Sequence, residues 1–334
     1  MRLVNVLALI NGKLVNEPFI NSFSNIVFEA KAVKRGDLFI AFDEKEIEDA
    51  ILNGAYGIIF NKPTQISDNE IAWIKVENID EAHKKLLRFK LIEQKISAYE
   101  CDTVTLQLAK QIVTDSSFII IDEELRAVAK TLWNAQESAT ILYSPALFDS
   151  DLFTQSSKIE RAENNSLIEI VDKTLFETSF IYDDKFYERQ MISPLFISHL
   201  EKLLMLFKKL SINHRLKKFS HIEHFDSVYT NKNLEIKDFG SSDKVFIFEE
   251  ETSLVQDEIE FLEKSAVWAK KRYCLPSSYK KLYSSLENAI FYKTKKELKK
   301  IIQESEANFT FVVGANKSLL TKLTIVHEQL FLDF

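Results

Sequence analysis

The segment that most resembles a phosphate-binding loop is 314–318, between an apolar strand pattern and a helical one. It ends in Lys317 and Ser318, the residue types whose ammonium and hydroxyl groups contact phosphate and magnesium in such loops. A complete loop also needs glycine directly before the lysine and again five residues earlier, where this chain has Asn316 and Phe311. We therefore interpret the segment as a structural turn, with Lys317 and Ser318 as candidates for a weak anion site.

Residues 221–226 contain His221, His224 and Asp226, which are residue types that bind zinc. Two residues separate the histidines, whereas a zinc-binding pair on one helical face has three between them. No cysteine cluster accompanies them, so we predict solvated histidines near a domain junction.

The carboxylates of residues 249–251 follow a predicted strand, at the edge where a parallel sheet binds its ligands. A charged loop is nevertheless the simpler interpretation of these residues. No metal site is predicted.

The two cysteines, Cys101 and Cys274, each lack a histidine nearby in sequence, and the chain has no Gly-x-Ser-x-Gly elbow. A small buried thiol is therefore a simpler interpretation of Cys101 than a nucleophile. Their wide separation in sequence disfavours a disulfide framework and favours reduced thiols in the cytoplasm. The sequence predicts no catalytic residue and a cytoplasmic location.

The glycine content is unusually low, with six residues in a chain of 334. Average usage of about 7% would give roughly 23. Glycine permits a positive φ and close backbone approach to phosphate, and Gly240 stands alone between residues 58 and 313. Few ways remain to build a phosphate loop there, and no cofactor-binding residue is predicted.

The overall charge and hydropathy disfavour nucleic acid as a partner and a segment that spans a membrane. The formal net charge is −7, whereas a nucleic-acid-binding surface is strongly basic. No apolar run is long enough to span a membrane. Residues 1–10 are apolar but are interrupted at once by Asn11, so we predict a first helix or strand rather than a signal peptide.

The elements that must position these residues alternate between strands and helices, which is typical of an α/β fold with mostly parallel sheets. Between residues 26 and 90 we predict strands 38–42, 55–60 and 72–76, with helices 47–53 and 80–90. Further on, we predict strands 117–121, 140–143, 167–171, 175–182 and 185–188, a hairpin turn at 183–184, helix 122–137, a loop-rich stretch 147–165, and a helix from Ser193 to about 210.

The last third repeats the alternation. We predict strands 245–248, 289–292 and 309–313, helices 256–272 and 295–304, and a final helix after Gly314. The predicted domains are 1–95, 96–240 and 241–334. The apolar run 328–334 is expected to pack on the last domain or, alternatively, to dock on a partner.

Residues 33–41, Val-Lys-Arg-Gly-Asp-Leu-Phe-Ile-Ala, resemble the amino-terminal domain of the Mur ligases. These ATP-dependent enzymes add amino acids or dipeptides to UDP-N-acetylmuramoyl peptide precursors. The similarity continues through residues 51–63 and 73–89, and it is closest to the branch that adds the diamino acid or D-Ala-D-Ala. Residues 194–212 resemble the helix that closes the central ATPase domain of the family. Residues 245–271 and 290–323 together resemble its carboxy-terminal Rossmann-like domain. The resemblance implies an α/β, three-domain Mur-ligase-like architecture with a reduced central domain.

The chain departs from the family where the family binds its nucleotides. The Gly-Lys-Thr-type loop falls on residues 101–110, which contain no glycine, and the Gly-Arg that ends the central domain falls on residues 223–224. The asparagine of the adenine site has no counterpart in 199–203. The Asp-Ser-Arg that meets uridine falls on Glu29, Ala30 and Lys31, which lack the hydroxyl and the guanidinium.

These departures predict a Mur-ligase-like pseudoenzyme that uses no cofactor. Its predicted role is that of a binding or scaffolding protein in peptidoglycan precursor synthesis. Its predicted partners are cell-wall synthesis proteins or a UDP-muramoyl peptide. The alternative is a divergent but active ATP-dependent UDP-N-acetylmuramoyl-peptide ligase. A third possibility is nucleotide-sugar binding without ATP.

Overall fold

The computed structural model describes residues 1–159, 166–238 and 240–320. The chain forms two compact units, which are described separately below. The first comprises Met1–Leu106 and Val113–Glu160, and the second comprises Gln107–Ile112 and Arg161–Phe334.

The first unit opens with a five-stranded sheet in the order β1-β5-β4-β3-β2, parallel except for β1. The strands are β1 (Lys13–Leu14), β2 (Ile26–Val27), β3 (Leu38–Ile40), β4 (Gly57–Phe60) and β5 (Ala72–Lys75), and the helices are α1 (Leu3–Ile10), α2 (Ile47–Leu52) and α3 (Ile79–Glu93). Gly36 precedes β3 with a φ of 98°, which glycine adopts without strain. Asn78 caps α3 by accepting from the amides of Asp80 and Glu81. The predicted order of elements between residues 26 and 90 is confirmed.

A second, all-parallel sheet completes this unit, in the order β7-β8-β6-β9. Its strands are β6 (Ser97–Glu100), β7 (Phe118–Ile121), β8 (Thr140–Tyr143) and β9 (Ser156–Lys158), with helices α4 (Thr103–Ile112) and α5 (Leu125–Trp133). Helix α4 begins in the first unit and ends in the second. The carboxyl ends of all four strands lie at one edge, so the residues that follow β6, β7 and β8 share that edge.

The second unit contains a three-stranded antiparallel sheet, β10 (Glu169–Lys173), β11 (Thr178–Tyr182) and β12 (Lys185–Gln190). Asp183 and Asp184 join the last two strands with φ values of 52° and 57°. Two consecutive left-handed residues are typical of a type I′ hairpin, and the predicted turn is confirmed. Ser193 accepts from the amide of Leu195 and begins the turn that leads into helix α6 (Ile197–Leu210).

A five-stranded sheet forms the rest of the second unit, in the order β13-β14-β17-β15-β16. Its strands are β13 (Asp226–Thr230), β14 (Lys244–Glu249), β15 (Lys271–Pro276), β16 (Ala289–Tyr292) and β17 (Phe309–Val313), with helices α7 (Val255–Ser265) and α8 (Lys295–Gln303). Only β13 is antiparallel to its neighbour. Leu298 and Ile302 of α8 pack into a core with Phe246, Cys274 and Val312.

Two predicted helices were too long. The helix predicted over 256–272 ends at Ser265, and Lys271–Pro276 is instead the strand β15. Two charged residues open that strand, which hides its apolar centre, although Tyr273, Cys274 and Leu275 are almost fully buried within the sheet. The helix predicted over 122–137 is confined to Leu125–Trp133. The predicted final helix begins by residue 318, but its continuation and the run 328–334 lie outside the described residues.

Candidate functional site

Strand β6 and helix α4 are joined by only two residues, Cys101 and Asp102. The family resemblance places the ATP phosphate loop on residues 101–110, which here are this connection and the first eight residues of α4. A phosphate loop has to wrap several backbone N–H groups around the anion. Two residues span at most about 7 Å, so this connection is too short to form such a wrap.

Asp102 occupies the amino end of α4. Its Oδ1 atom accepts a hydrogen bond of 2.8 Å from the Thr105 amide. An N-cap carboxylate satisfies an amide that would otherwise be available to a phosphate, and it places a negative charge beside the positive end of the helix dipole. The chain's own side chain therefore fills the position of an anion.

Glu100 places a second carboxylate at the same edge. Its Oε1 atom accepts from Ser156 Oγ at 2.5 Å and from Tyr143 Oη at 3.0 Å. These two hydrogen bonds, the one from Ser156 first, lower the pKa of Glu100 below its ordinary value. Glu100 is thus ionised at neutral pH. Because like charges repel, the end of β6 disfavours a triphosphate.

The two cysteines have the environment of inert thiols. Burial, with a smaller contribution from the charge of Asp102, raises the pKa of Cys101. Burial raises the pKa of Cys274 to about 12. The thiolate is the nucleophilic form, so neither side chain is activated for covalent catalysis at neutral pH.

Residues 29–31, the predicted UDP-site positions, lie next to a cavity of about 300 Å³ in the first unit. Glu29 lines this cavity, and its Oε2 atom lies 3.7 Å from Lys130 Nζ. Ala30 is instead part of the core, with 2% of its surface exposed, and Lys31 is exposed outside the cavity lining. Binding of a nucleotide sugar at these positions stays a prediction.

Two residues that the sequence analysis missed also line this cavity. Lys130 and Trp133 both come from α5, and Trp133 Nε1 donates to Asn25 Oδ1 at 2.6 Å. The α5 sequence gives only an ordinary amphipathic pattern, because the cavity forms when that helix packs near residues about a hundred positions earlier. No local signal distinguishes these two residues.

The turn at 314–318 forms, with Gly314 at a φ of 77°. Lys317 Nζ lies 3.2 Å from Asp226 Oδ2. Asn316 Oδ1 accepts from the Ser318 amide at 3.2 Å and from Ser318 Oγ at 2.6 Å. The ammonium and the amide that would hold an anion thus both contact side chains of this protein. A weak anion site at Lys317 and Ser318 stays a prediction.

The prediction of solvated histidines is wrong for His224. Its side chain is 7% exposed, and Nδ1 lies 3.1 Å from Glu249 Oε1. Glu249, interpreted from sequence as part of a charged loop, is the last residue of β14 and is 1% exposed. His221 is partly exposed and lies 2.7 Å from Asp226 Oδ1. Pairing between residues distant in sequence allows these charges to be buried.

Glu249 is surrounded by donors. Besides His224, it accepts from the amides of Phe225 at 3.2 Å and Glu251 at 2.6 Å. Burial acts to raise the pKa of Glu249, but the contributions that lower it, of which the hydrogen bond and charge of His224 are the largest, leave the pKa lowered overall. Glu249 is therefore the ionised member of this buried group.

Glu258 of α7 is the neutral member. It is fully buried, and no described donor faces either of its carboxyl oxygens. Burial, followed by the negative charge of Glu249, raises the pKa of Glu258 well above its ordinary value. Because a second buried negative charge next to Glu249 is unfavourable, Glu258 keeps its proton in the folded chain.

Within the described ranges, no three histidine, cysteine, aspartate or glutamate side chains are grouped in a way that could hold a metal ion. Across those same ranges, none of the helices combines the length and apolar character that crossing a membrane requires.

The fold is that of the Mur ligases. The chain superimposes on a crystal structure of MurF from Acinetobacter baumannii with a TM-score of 0.53 and 8% sequence identity, over 98% of each chain. It is also similar to the MurF ligase of Thermotoga maritima in complex with ADP, with a TM-score of 0.52 and 11% identity, over 91% of this chain and 97% of that one. At such identities the likeness shows the fold alone.

The predicted α/β, Mur-ligase-like architecture is confirmed by this likeness. The boundaries predicted at residues 95 and 240 stay predictions. No protein-family model matches the sequence, and no curated protein matches it.

Proposed function

We propose that this chain is a Mur-ligase-fold protein without ATP-dependent ligase activity, and that it acts as a binding or scaffolding protein in peptidoglycan precursor synthesis. One observation carries the proposal, the two-residue connection between β6 and α4 that Asp102 caps. Acyl-phosphate chemistry requires positioned triphosphate and magnesium. A connection that is short, capped and flanked by the ionised Glu100 provides neither.

The pathway assignment is supported by the fold. Two similar structures are MurF enzymes, so the resemblance to the branch that adds the D-Ala-D-Ala dipeptide is part of this proposal. A UDP-muramoyl peptide is the proposed small-molecule partner. The cavity beside Glu29 and Lys130 is of a size that accommodates a nucleobase and its ribose, and Trp133 offers an aromatic surface there.

An activity assay with a binding arm tests the proposal. The full chain is incubated with Mg-ATP, a UDP-muramoyl peptide and D-alanyl-D-alanine, with a MurF enzyme as positive control. We expect no phosphate release and no ligated product, together with a melting temperature that the UDP-muramoyl peptide alone raises. The Lys130→Ala variant should lose this stabilisation, and the matched variant at exposed Lys13, Lys13→Ala, should retain it.

Formation of the ligated product with one phosphate released per bond would contradict the proposal. That result would support the alternative, a divergent ligase that binds ATP by other residues.

A further inference from the structure

A cavity of about 1010 Å³ lies in the second unit, away from every residue discussed above as a candidate site. It is bounded by the β11–β12 hairpin, the carboxyl end of α6 and the loop that follows α6. We call it the basic pocket and define it by six lining residues: Tyr182, Lys185, Tyr187, Lys208, His214 and Arg215.

The cations of the basic pocket are unpaired. Lys185, Lys208 and Arg215 are exposed, and no carboxylate lies within ion-pair distance of them in the described part of the chain. Three more exposed cations follow closely in sequence, Lys209, Lys217 and Lys218. By contrast, Arg189 on the same hairpin pairs with Glu177 at 3.0 Å. An unpaired positive cluster is unusual in a chain with a net charge of −7.

One carboxylate, that of Asp183, also lines the cavity. It belongs to the hairpin turn, and its charge contributes to raising the pKa values of Tyr182 and Tyr187, after burial. Three cations therefore face one anion, which leaves the pocket positively charged. The two tyrosines keep their protons at neutral pH, so their hydroxyls are able to donate hydrogen bonds.

The loop that carries Arg215 is fixed by backbone and side-chain contacts. Ser211 ends α6 with a φ of 57°, and the Ile212 amide donates to Phe207 O at 2.9 Å. His214 Nδ1 lies 3.0 Å from Ile212 O, and the Arg215 amide donates to Ile112 O at 2.8 Å. A site held in this way loses little conformational entropy when a ligand binds.

We propose that the basic pocket binds a phosphate-bearing anion, with Lys208 and Arg215 as its principal contacts. The guanidinium fork of arginine matches two phosphate oxygens, and lysine adds a point charge. The hydroxyl of Tyr182, 3.4 Å from His214 Nε2, lies in the same cavity as a further polar group. This inference is independent of the proposed function, because it involves neither the β6–α4 connection nor the cavity beside Glu29.

Titration with inorganic pyrophosphate tests the pocket directly, and vesicles identify the source of the phosphate. Calorimetry compares three proteins in about 0.05 M NaCl and again in about 0.5 M NaCl. They are the wild-type chain, the pocket variant Lys208→Ala/Arg215→Ala and the control variant Lys295→Ala/Lys296→Ala. The control removes two equally exposed lysines from α8. In parallel, the three proteins are sedimented with vesicles of equimolar phosphatidylcholine and phosphatidylglycerol, and with phosphatidylcholine alone.

We expect the pocket variant to bind its phosphate ligand at least about tenfold more weakly than wild type. The affinity of the control should stay within about twofold of wild type, and higher salt should weaken binding. Because all four positions are exposed, circular dichroism should be the same for the three proteins. If the pocket variant alone loses binding to pyrophosphate, the ligand is a free phosphorylated molecule. If that loss is seen only with the anionic vesicles, the ligand is a lipid headgroup. Equal binding by all three proteins, or no binding by wild type in either arm, would overturn the inference.

Discussion

Replacing Glu249 with alanine is expected to lower the free energy of unfolding by about 3 to 5 kcal/mol. The substitution leaves three donors without their acceptor: the buried Nδ1 of His224, the buried amide of Phe225 and the partly buried amide of Glu251. Breaking a buried charge pair from one side costs more than the pair itself contributes, because the remaining partner stays desolvated. The measurement is the urea midpoint followed by circular dichroism.

Glu250→Ala is the matched control. Glu250 is the adjacent residue but is exposed, and its one described contact is a hydrogen bond of 3.0 Å from Asn316. Its loss should cost less than about 1 kcal/mol. Equal midpoints for the two variants would show that the buried contacts of Glu249 do not stabilise the second unit.

Replacing Glu258 with glutamine is expected to change how stability depends on pH. The folded chain holds a proton on Glu258 that the unfolded chain releases above its ordinary pKa of 4.5. The wild-type free energy of unfolding therefore falls as pH rises, by up to about 1.4 kcal/mol per pH unit from this group. Glutamine has nearly the same shape as protonated glutamate and holds no titratable proton. The variant should thus gain about 1 to 3 kcal/mol relative to wild type between about pH 5 and about pH 8.

Urea unfolding at each pH measures this gain, and Glu287→Gln provides the control because Glu287 undergoes the same chemical change at an exposed position. The Glu287→Gln protein should follow the wild-type profile. If the difference between Glu258→Gln and wild type stayed constant across the pH range, Glu258 would not be neutral in the folded protein.

Local patterns predicted most of the elements. Strand β3 after Gly36, the hairpin at Asp183 and Asp184, and the helix that follows Ser193 were all predicted from turn and capping residues that lie directly beside the element. Such signals are short-range, because each depends on the conformation that one or two residues adopt. They also agree with the period of apolar residues, so the two kinds of evidence support each other.

The elements and contacts that depend on distant residues were missed. Strand β15 begins with Lys271 and Arg272 and was predicted as the end of a helix, although it lies between β17 and β16 in the sheet. The burial of His224 depends on Glu249, and the ion pair of Lys317 depends on Asp226. The sequence contains both partners of each pair but no indication that they meet.

The absence of a phosphate loop stays a prediction from composition, and the structure gives the geometry of the residues concerned. Residues 101–110 lack glycine, which is visible in the sequence alone. The two-residue length of the connection and the capping of the next helix by Asp102 were not predicted. The length depends on where β6 ends and α4 begins, and boundaries of this kind are the least certain part of a pattern-based assignment.

We expect that the β6–α4 connection does not bind the phosphates of ATP. Calorimetric titration with millimolar Mg-ATP tests it most directly, using the Lys208→Ala/Arg215→Ala protein so that the basic pocket does not contribute. We expect no saturable heat and an unchanged melting temperature. Saturable binding with a matching rise in melting temperature, and a nucleotide held by main-chain nitrogens of residues 101–105, would contradict it.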